Sequence, residues 1–255
     1  MSRANLKSRL AVTWLTLWFG IGIFITTQNF DLTQSLRAPS LTHIFGTDVF
    51  GRDLLQLTLN ASKMSAFYAL LITISTSILG LVFGGGLVLF PKRFLFYSER
   101  ILDFFLAFPG ILIALAIQSI LGSGVTSLMI AIFAGLLPGL IRYISTKAKE
   151  VILEDYVQAG LALGSSTFGI LFRHLLPALV QHLLIKLPFL FASALLLEAT
   201  LSFLNLGAPP GTATWGSLLA HGKDYLIEAP RIALTVGFPL VFTLLSLQIL
   251  ADQKR

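Results

Sequence analysis

The sequence predicts an all-α integral membrane protein with six transmembrane helices, and three observations carry that expectation. Of its 255 residues 55% are hydrophobic and 12% charged, against about 25% charged in an average soluble domain, and the mean hydropathy is +0.85. Apolar runs near the roughly 20 residues needed to cross a hydrocarbon core of about 30 Å recur along the whole chain. These runs do not alternate with period two, so a closed β-barrel, the other fold that satisfies its backbone groups in lipid, fits poorly.

The first run, Leu10 to Thr27, follows Arg3, Lys7 and Arg9. A secretory signal has the same basic start, but no small-residue cleavage pattern follows at Thr26 to Phe30, so the run reads as an uncleaved helix. The others are Ala66 to Phe90, Ile101 to Leu121, Thr126 to Ile144, Leu179 to Leu201 and Ile232 to Ala251. Pro109, Pro188 and Pro239, with Gly84 to Gly86, fall inside these spans, where they kink helices or let them approach closely. The division that follows is 1–65 for the tail, first helix and external segment, 66–251 for a five-helix core, and 252–255 for a short tail. Within the core, 145–178 is an internal loop and 202–231 an external one.

Lys and Arg are retained on the cytoplasmic side of short loops. With the N-terminus inside, the cytoplasmic segments hold Arg3, Lys7 and Arg9, then Lys92, Arg93 and Arg100, then Arg142, Lys147, Lys149 and Arg173, and finally Lys254 and Arg255. The external segments hold Arg37, Arg52, Lys63, Lys223 and Arg231, and Lys186 falls within the fifth run. Both termini are therefore expected in the cytoplasm. The net charge of +6 then reflects membrane orientation and gives a nucleic-acid partner little support.

The loop at 145–178 carries its own pattern. Ile152, Tyr156, Ala159 and Leu163 recur at helical spacing, with Glu150, Glu154, Asp155 and Gln158 largely off that stripe, which predicts an amphipathic helix from about Lys149 to Leu163. Gly164 is expected to stop it, Ser165 or Ser166 to cap a second helix, and Phe168, Leu171, Phe172 and Leu175 to form an apolar stripe up to Pro177. By periodicity alone this is either a docking handle or a hairpin lying on the bilayer.

The order Gln158-Ala159-Gly160, Gly164, Leu176-Pro177 resembles the E-A-A, three residues, G, nine residues, I-x-L-P signature of ATP-binding-cassette (ABC) importer permeases. Gln158 replaces the Glu, Gly160 the second Ala and His174 the Ile, while the Gly164 to Pro177 spacing is kept. His43 to Asp53, H-I-F-G-T-D-V-F-G-R-D, resembles the H-P-x-G-T-D-x-x-G-R-D segment of the C-type permease subunits of the dipeptide, oligopeptide and nickel importer family. Asp103 to Pro109 is similar to that family's D-x-x-L-A-F-P, and Leu137-Pro138-Gly139 with Arg142 to its W-P-G-x-x-R. Glu198 to Gly207, Pro209-Pro210, Trp215-Gly216 and Asp224-Tyr225 follow its E-A-x-L-S-F-L-G-L-G, P-P, W-G and D-Y series.

The resemblance covers nearly the whole chain and implies a type I ABC importer permease fold with a cytoplasmic coupling-helix loop. It implies that Glu154, Tyr156, Gln158, Ala159, Gly160, Gly164, Leu176 and Pro177 meet a separate ATPase. It further implies a second, B-type permease chain, two cytoplasmic ATPase subunits that carry ATP and Mg, and an extracytoplasmic solute-binding protein. Solutes would be peptides, nickel or metal chelates, or similar small molecules. The family commonly continues in a charged tail beyond its sixth helix, where this chain has Ala251 to Arg255.

Candidates for the outer mouth or gate are Gly46, Asp48, Gly51, Arg52, Asp53, Glu198 and Trp215. The stretch from Gly46 to Asp53 also has plain turn chemistry, with glycines for tight backbone and side chains able to bond locally. Glu198 would cost about 2.5 to 3.5 kcal/mol at the bilayer centre on insertion scales. It should therefore face a cavity, a partner or the outer boundary, or cap a neighbour there.

Catalytic chemistry is not legible. There is no G-x-x-x-x-G-K-[ST] phosphate cradle and no cysteine, and His43, His174, His182 and His221 form no zinc-ligand spacing. The expectation is a non-catalytic subunit that binds no cofactor itself. An ATP-independent secondary transporter or channel, or a membrane scaffold, are the alternatives from other classes.

Overall fold

The computed structural model describes residues 3–25, 31–207 and 211–252. The described elements are α1 (Arg3–Phe24), a 3-10 turn (Leu32–Gln34), α2 (Leu54–Leu87), α3 (Lys92–Leu106), α4 (Gly110–Leu121) and α5 (Val125–Ile152). Then come α6 (Asp155–Ala162), α7 (Thr167–Ile170), a π-helical turn (Leu171–Leu175), α8 (Leu176–Phe203), α9 (Trp215–Lys223) and α10 (Arg231–Asp252). An isolated antiparallel bridge joins Thr47 and Asp53, and no strand occurs among the described residues.

Among the described residues, four stretches are each long and apolar enough to cross a membrane: α2, α5, Thr167–Phe203 and α10. α3 and α4 make a fifth candidate span, bent by 81°. With α1, a 22-residue helix packed along α10 and α2, the bundle is compatible with six crossings. Thr26, Thr27 and residues 253–255 lie outside the described part.

α2 is the central post, touching α1, α5, α8, α9 and α10. Its buried face is built from small residues at helical spacing, Thr58, Ser62, Ser65, Ala69, Thr73, Thr76, Gly80 and Gly84, because packing in lipid depends on close backbone approach rather than on the hydrophobic effect. At Gly84 an added Cβ would lie 2.8 Å from Ile144 Cβ and 2.9 Å from the Ile141 carbonyl. α5 therefore sits directly on the α2 backbone.

α2 begins at Leu54, where the sequence predicts a span from Ala66, so the boundary drawn at residue 65 falls inside one helix. Two of the polar residues at its start, Thr58 and Ser62, are satisfied within the helix itself. Thr58 Oγ1 donates to the Leu54 carbonyl at 2.7 Å and Ser62 Oγ to that of Leu59 at 2.6 Å. Asp53 caps the helix by accepting from Gln56 N–H at 2.9 Å.

The third predicted span is not continuous. Pro109 lacks an N–H and crowds the preceding turn, so the helix stops at Leu106 and restarts at Gly110. At the restart Gly110 and Gly135 meet backbone to backbone, and a Cβ on either would lie 2.6 Å from the other's carbonyl oxygen. α5 outruns its predicted end at Ile144 and carries helix to Ile152, well into the segment assigned to the internal loop. Ion pairs from α3 follow it down, Asp103 to Arg142 at 3.3 Å and Glu99 to Lys149.

The predicted external loop at 202–231 folds back into the bundle as α9, packed on α8, α10 and α2. A Cβ on Gly216 would lie 2.4 Å from the Ala199 carbonyl, so this helix lies against α8 with no side chain between. A capping box starts α9, with Thr214 Oγ1 accepting from Ser217 N–H at 3.2 Å and Ser217 Oγ from Thr214 N–H at 2.9 Å.

Candidate functional site

The connection between α5 and α8 stands at one end of the bundle and is built in two pieces. α5 closes at Leu153, and Glu154 with Asp155 opens α6, acidic residues being favoured where a helix N-terminus presents free N–H groups. The single helix expected from Lys149 to Leu163 is thus two helices with a turn at Leu153-Glu154. Gln158 fastens the turn, its Nε2 donating to the Ile152 carbonyl at 2.7 Å.

α6 ends in a Schellman motif, in which Ser165 N–H reaches the Gly160 carbonyl and Gly164 N–H that of Leu161, both at 3.0 Å. Gly164 takes φ +82 with nothing within 4 Å of a would-be Cβ. Its glycine serves the left-handed backbone rather than a tight contact. Ser166 caps α7 by accepting from Gly169 N–H at 3.1 Å, one of the two serines expected in that role.

The break at Leu153 resets the helical phase, so the apolar stripe predicted from Ile152 to Leu163 is not the buried side of α6. Val157 is fully buried, in one cluster with Ala148, Val151, Ile170, Leu175 and Leu179, and Gly160 one turn on approaches Ile170 and His174. Tyr156, Ala159 and Leu163 are exposed, Leu163 at 87%. Phe168 and Phe172 are exposed as well, at 74% and 62%, while Leu175 of the same predicted stripe is buried. Exposed with them are Glu154, Gln158, Gly164 and Pro177; Leu176 is half-buried. Tyr156 leans on the His174 ring, centroids 5.7 Å apart.

The loop therefore has an anchored inner side and an outward apolar side. Contiguous exposed apolar groups of this kind mark interaction surfaces. Val157 is the residue that sequence reasoning missed. Its readable signal is the three-residue spacing to Gly160, which becomes visible only once the helix start is placed at Glu154.

The mouth candidates at 43–53 form a knot turned in on itself. Asp48 and Asp53 are buried. Asp48 accepts from Phe50 N–H and Arg52 N–H and pairs with the Arg52 guanidinium at 2.7 Å. Asp53 caps α2 and holds His43 Nδ1 at 2.9 Å. Gly46 and Gly51 have φ +78 and +76, and a Cβ on Gly51 would lie 1.8 Å from the Asp31 carbonyl. At that corner hydrogen bonds from the Thr33 hydroxyl, the Gln34 amide and the Thr33 N–H hold the Asp31 carboxyl below its ordinary range. Gly51→Ala should lower the unfolding midpoint of the purified protein by the left-handed strain of about 1 to 2 kcal/mol plus that collision. An unchanged midpoint would show that the knot yields freely.

Glu198 and Trp215 also lie inside. Glu198 is fully buried and its Oε1 accepts from Ser202 Oγ at 2.9 Å. Trp215 is fully buried, its indole N–H donating to the Thr58 carbonyl at 3.0 Å and its backbone N–H to Ser65 Oγ at 2.9 Å. The two Trp215 bonds fasten α9 to α2. Trp215 is an internal clamp of the folded-back loop rather than a side chain lining an open mouth.

A bundle of apolar helices that holds out a firmly anchored helical loop has the form of a membrane permease component made to work with other subunits. The particular family follows from comparison: residues 76–253 match the binding-protein-dependent transport system inner membrane component, and the chain belongs to that family. A Brucella suis protein named as a peptide transport system permease is 38% identical over 225 residues, covering 88% of this chain and 76% of the relative. A Brucella abortus counterpart gives the same figures. The glutathione transport system permease protein GsiD of Escherichia coli O1:K1 is 29% identical over 226 residues, covering 89% and 75%. This chain is thus a multi-pass inner-membrane permease subunit of a binding-protein-dependent transport system.

Proposed function

We propose that this chain is one half of the membrane passage of an ATP-driven importer for peptides or similarly small solutes, worked through the α5–α8 connection by a separate ATPase that carries the ATP and Mg. The observation that supports it best is the two-sided loop. Val157, Ile170 and Leu175 tie it into the cluster that also holds α5 and α8, while Ala159, Leu163 and Phe168 stay uncovered. The names of the relatives favour peptides or glutathione as the solute.

A partner gripping the outer side would move α6 and α7 as a plug. Val157 would pass the displacement to Ala148 and Val151 of α5, and Leu175 would pass it to Leu179 of α8, shifting two helices between packed arrangements. The displacement thus passes through two helices joined at Leu153-Glu154 and not through one continuous helix from Lys149 to Leu163. The remaining partners are a second permease chain of B type, a second ATPase subunit and an external solute-binding protein, with both termini of this chain in the cytoplasm.

The chain has no cysteine, so Ala159→Cys supplies a single thiol for cross-linking. In membranes from cells expressing the whole transport system, it should cross-link to an ATPase subunit, with a yield that changes when ATP is added. Labelling of that thiol only by reagents added outside the cell would place the loop on the wrong side and end this reading.

A further inference from the structure

α1 and α2 meet at one level and then part. A Cβ on Gly22 would lie 3.0 Å from the Leu59 carbonyl oxygen and from Ser62 Oγ, so the last turn of α1 touches the second turn of α2 almost backbone to backbone. Farther along, α1 is drawn off toward α10, where the Trp14 ring lies 5.4 Å from that of Phe242 and Trp14 Nε1 donates to Thr243 Oγ1 at 3.2 Å. The space left beside α2 is a groove of about 640 Å³. Leu15, Phe19 and Ile23 line it from α1 and Lys63, Phe67 and Leu70 from α2, with one residue each from α8 and α10. Both sets recur every three or four residues, so each forms one stripe, about 12 Å long on α1. Phe67 and Leu70 are half-exposed, and Lys63 is the one polar residue among those that line the groove.

Lys63 stands at one end of both stripes, beside Ile23, and its ammonium donates to the Ile25 carbonyl just past α1. That bond takes one of three N–H donors and leaves the charge uncompensated, since the carbonyl is neutral. Lys63 forms no ion pair among the described residues, and the acidic side chains lie elsewhere. α1 and α2 contain none, and α10 has only Asp252 at its far end. α8 has only Glu198, which accepts from Ser202 and faces Ser65, two residues from Lys63 and so on the other side of α2. Asp31, Asp48, Asp53, Asp224 and Glu228 gather around the start of α2, at Gly51, Leu54 and Ala229, about 14 Å along that helix from Lys63. The remaining acids belong to α3, α5 and the α5–α8 connection, none of which lines the groove.

An uncompensated ammonium at the end of an apolar trough between membrane helices fits a molecule that joins an anion to a hydrocarbon chain. We propose that the α1–α2 groove is a binding site for an anionic phospholipid, its acyl chain lying along Phe19 and Phe67 and its phosphate on the Lys63 ammonium. A helix of a second permease chain would fill the apolar part but leave Lys63 without its anion, because acidic residues are rare in such helices. The inference rests on the multi-pass membrane character of the chain and is independent of coupling to an ATPase.

The test uses the complete transport complex, stripped of lipid in a non-ionic detergent and titrated with phosphatidylglycerol. With Phe67→Cys as the only thiol of this chain, the lipid should slow alkylation of that thiol by a neutral maleimide. Adding Lys63→Gln should raise the half-protecting lipid concentration about five-fold, the worth of one cation at an anionic lipid surface, whereas Lys63→Arg, which keeps the charge, should stay within about two-fold. Leu70→Trp fills the groove and leaves Lys63 in place, and it should weaken protection as well. Protection unchanged by either Lys63→Gln or Leu70→Trp would overturn the proposal, and so would equal protection by inorganic phosphate alone. A thiol that is already shielded in the stripped complex, and that cross-links to the second permease chain, would give the groove to that chain and overturn the lipid site.

Discussion

Ala159→Arg should abolish solute uptake while leaving the chain inserted and as stable as its parent. Ala159 is exposed on the outer side of α6, whereas the inner side is held by Val157. A long cation at Ala159 therefore meets solvent in the isolated chain, and any loss must come from a partner that needs the small residue there. Burying an unpaired charge at the centre of an interface costs about 2 kcal/mol or more, roughly thirty-fold in docking affinity. ATP hydrolysis should then become insensitive to solute. Gly164→Asp is the companion: left-handed backbone tolerates aspartate at a cost of about 1 kcal/mol, and nothing crowds its Cβ. Normal uptake by either variant, at normal membrane levels, would remove the α5–α8 connection as the docking surface.

The second large effect is expected at Trp215. Its side chain is fully buried, touches the Phe19 ring at 5.9 Å and donates to the Thr58 carbonyl. Truncation to alanine removes the largest fully buried side chain among the described residues, a change that costs about 3 to 5 kcal/mol in well-packed cores. α9 should detach from α2, and the variant should show a clearly lower unfolding midpoint in detergent together with proteolytic cutting between Phe203 and Arg231. Trp215→Phe should recover most of that stability, since it loses mainly one hydrogen bond of about 1 kcal/mol. A Trp215→Ala protein that melts with its parent and resists the protease would show that α9 is not clamped by this residue.

Glu198 shows how far a linear reading goes. Its cost in lipid was plain from the sequence, as was the need for a cavity, a partner or the outer boundary. The answer is an internal one: Ser202 from its own helix donates to it, and α9 covers the region because Gly216 lets it lie on Ala199. Nothing in the local pattern around Trp215 to Lys223 distinguishes a loop helix lying outside the bundle from one folded into it. The same holds for Asp48, Asp53 and the two glycines, whose turn chemistry was legible. Their inward orientation depends on contacts with residues 31–37, ten and more positions away.

The sequence by itself determined that the chain is a helical membrane protein, where most of its apolar runs lie, and that Gly164 and a following serine divide the connecting loop. Those properties come from composition, from the length a bilayer demands and from local backbone preference, and each acts over a few neighbouring residues. Only the tertiary structure decided that α2 begins at Leu54, twelve residues before the apolar run that starts at Ala66, that the third span breaks at Pro109, and that Val157 rather than Ala159 anchors the loop. The same is true of the apolar groove between α1 and α2 with Lys63 at its end. Those outcomes depend on which helices touch, and small residues on α2 and paired glycines on α4 and α5 set that contact through backbone approach between segments far apart in the chain.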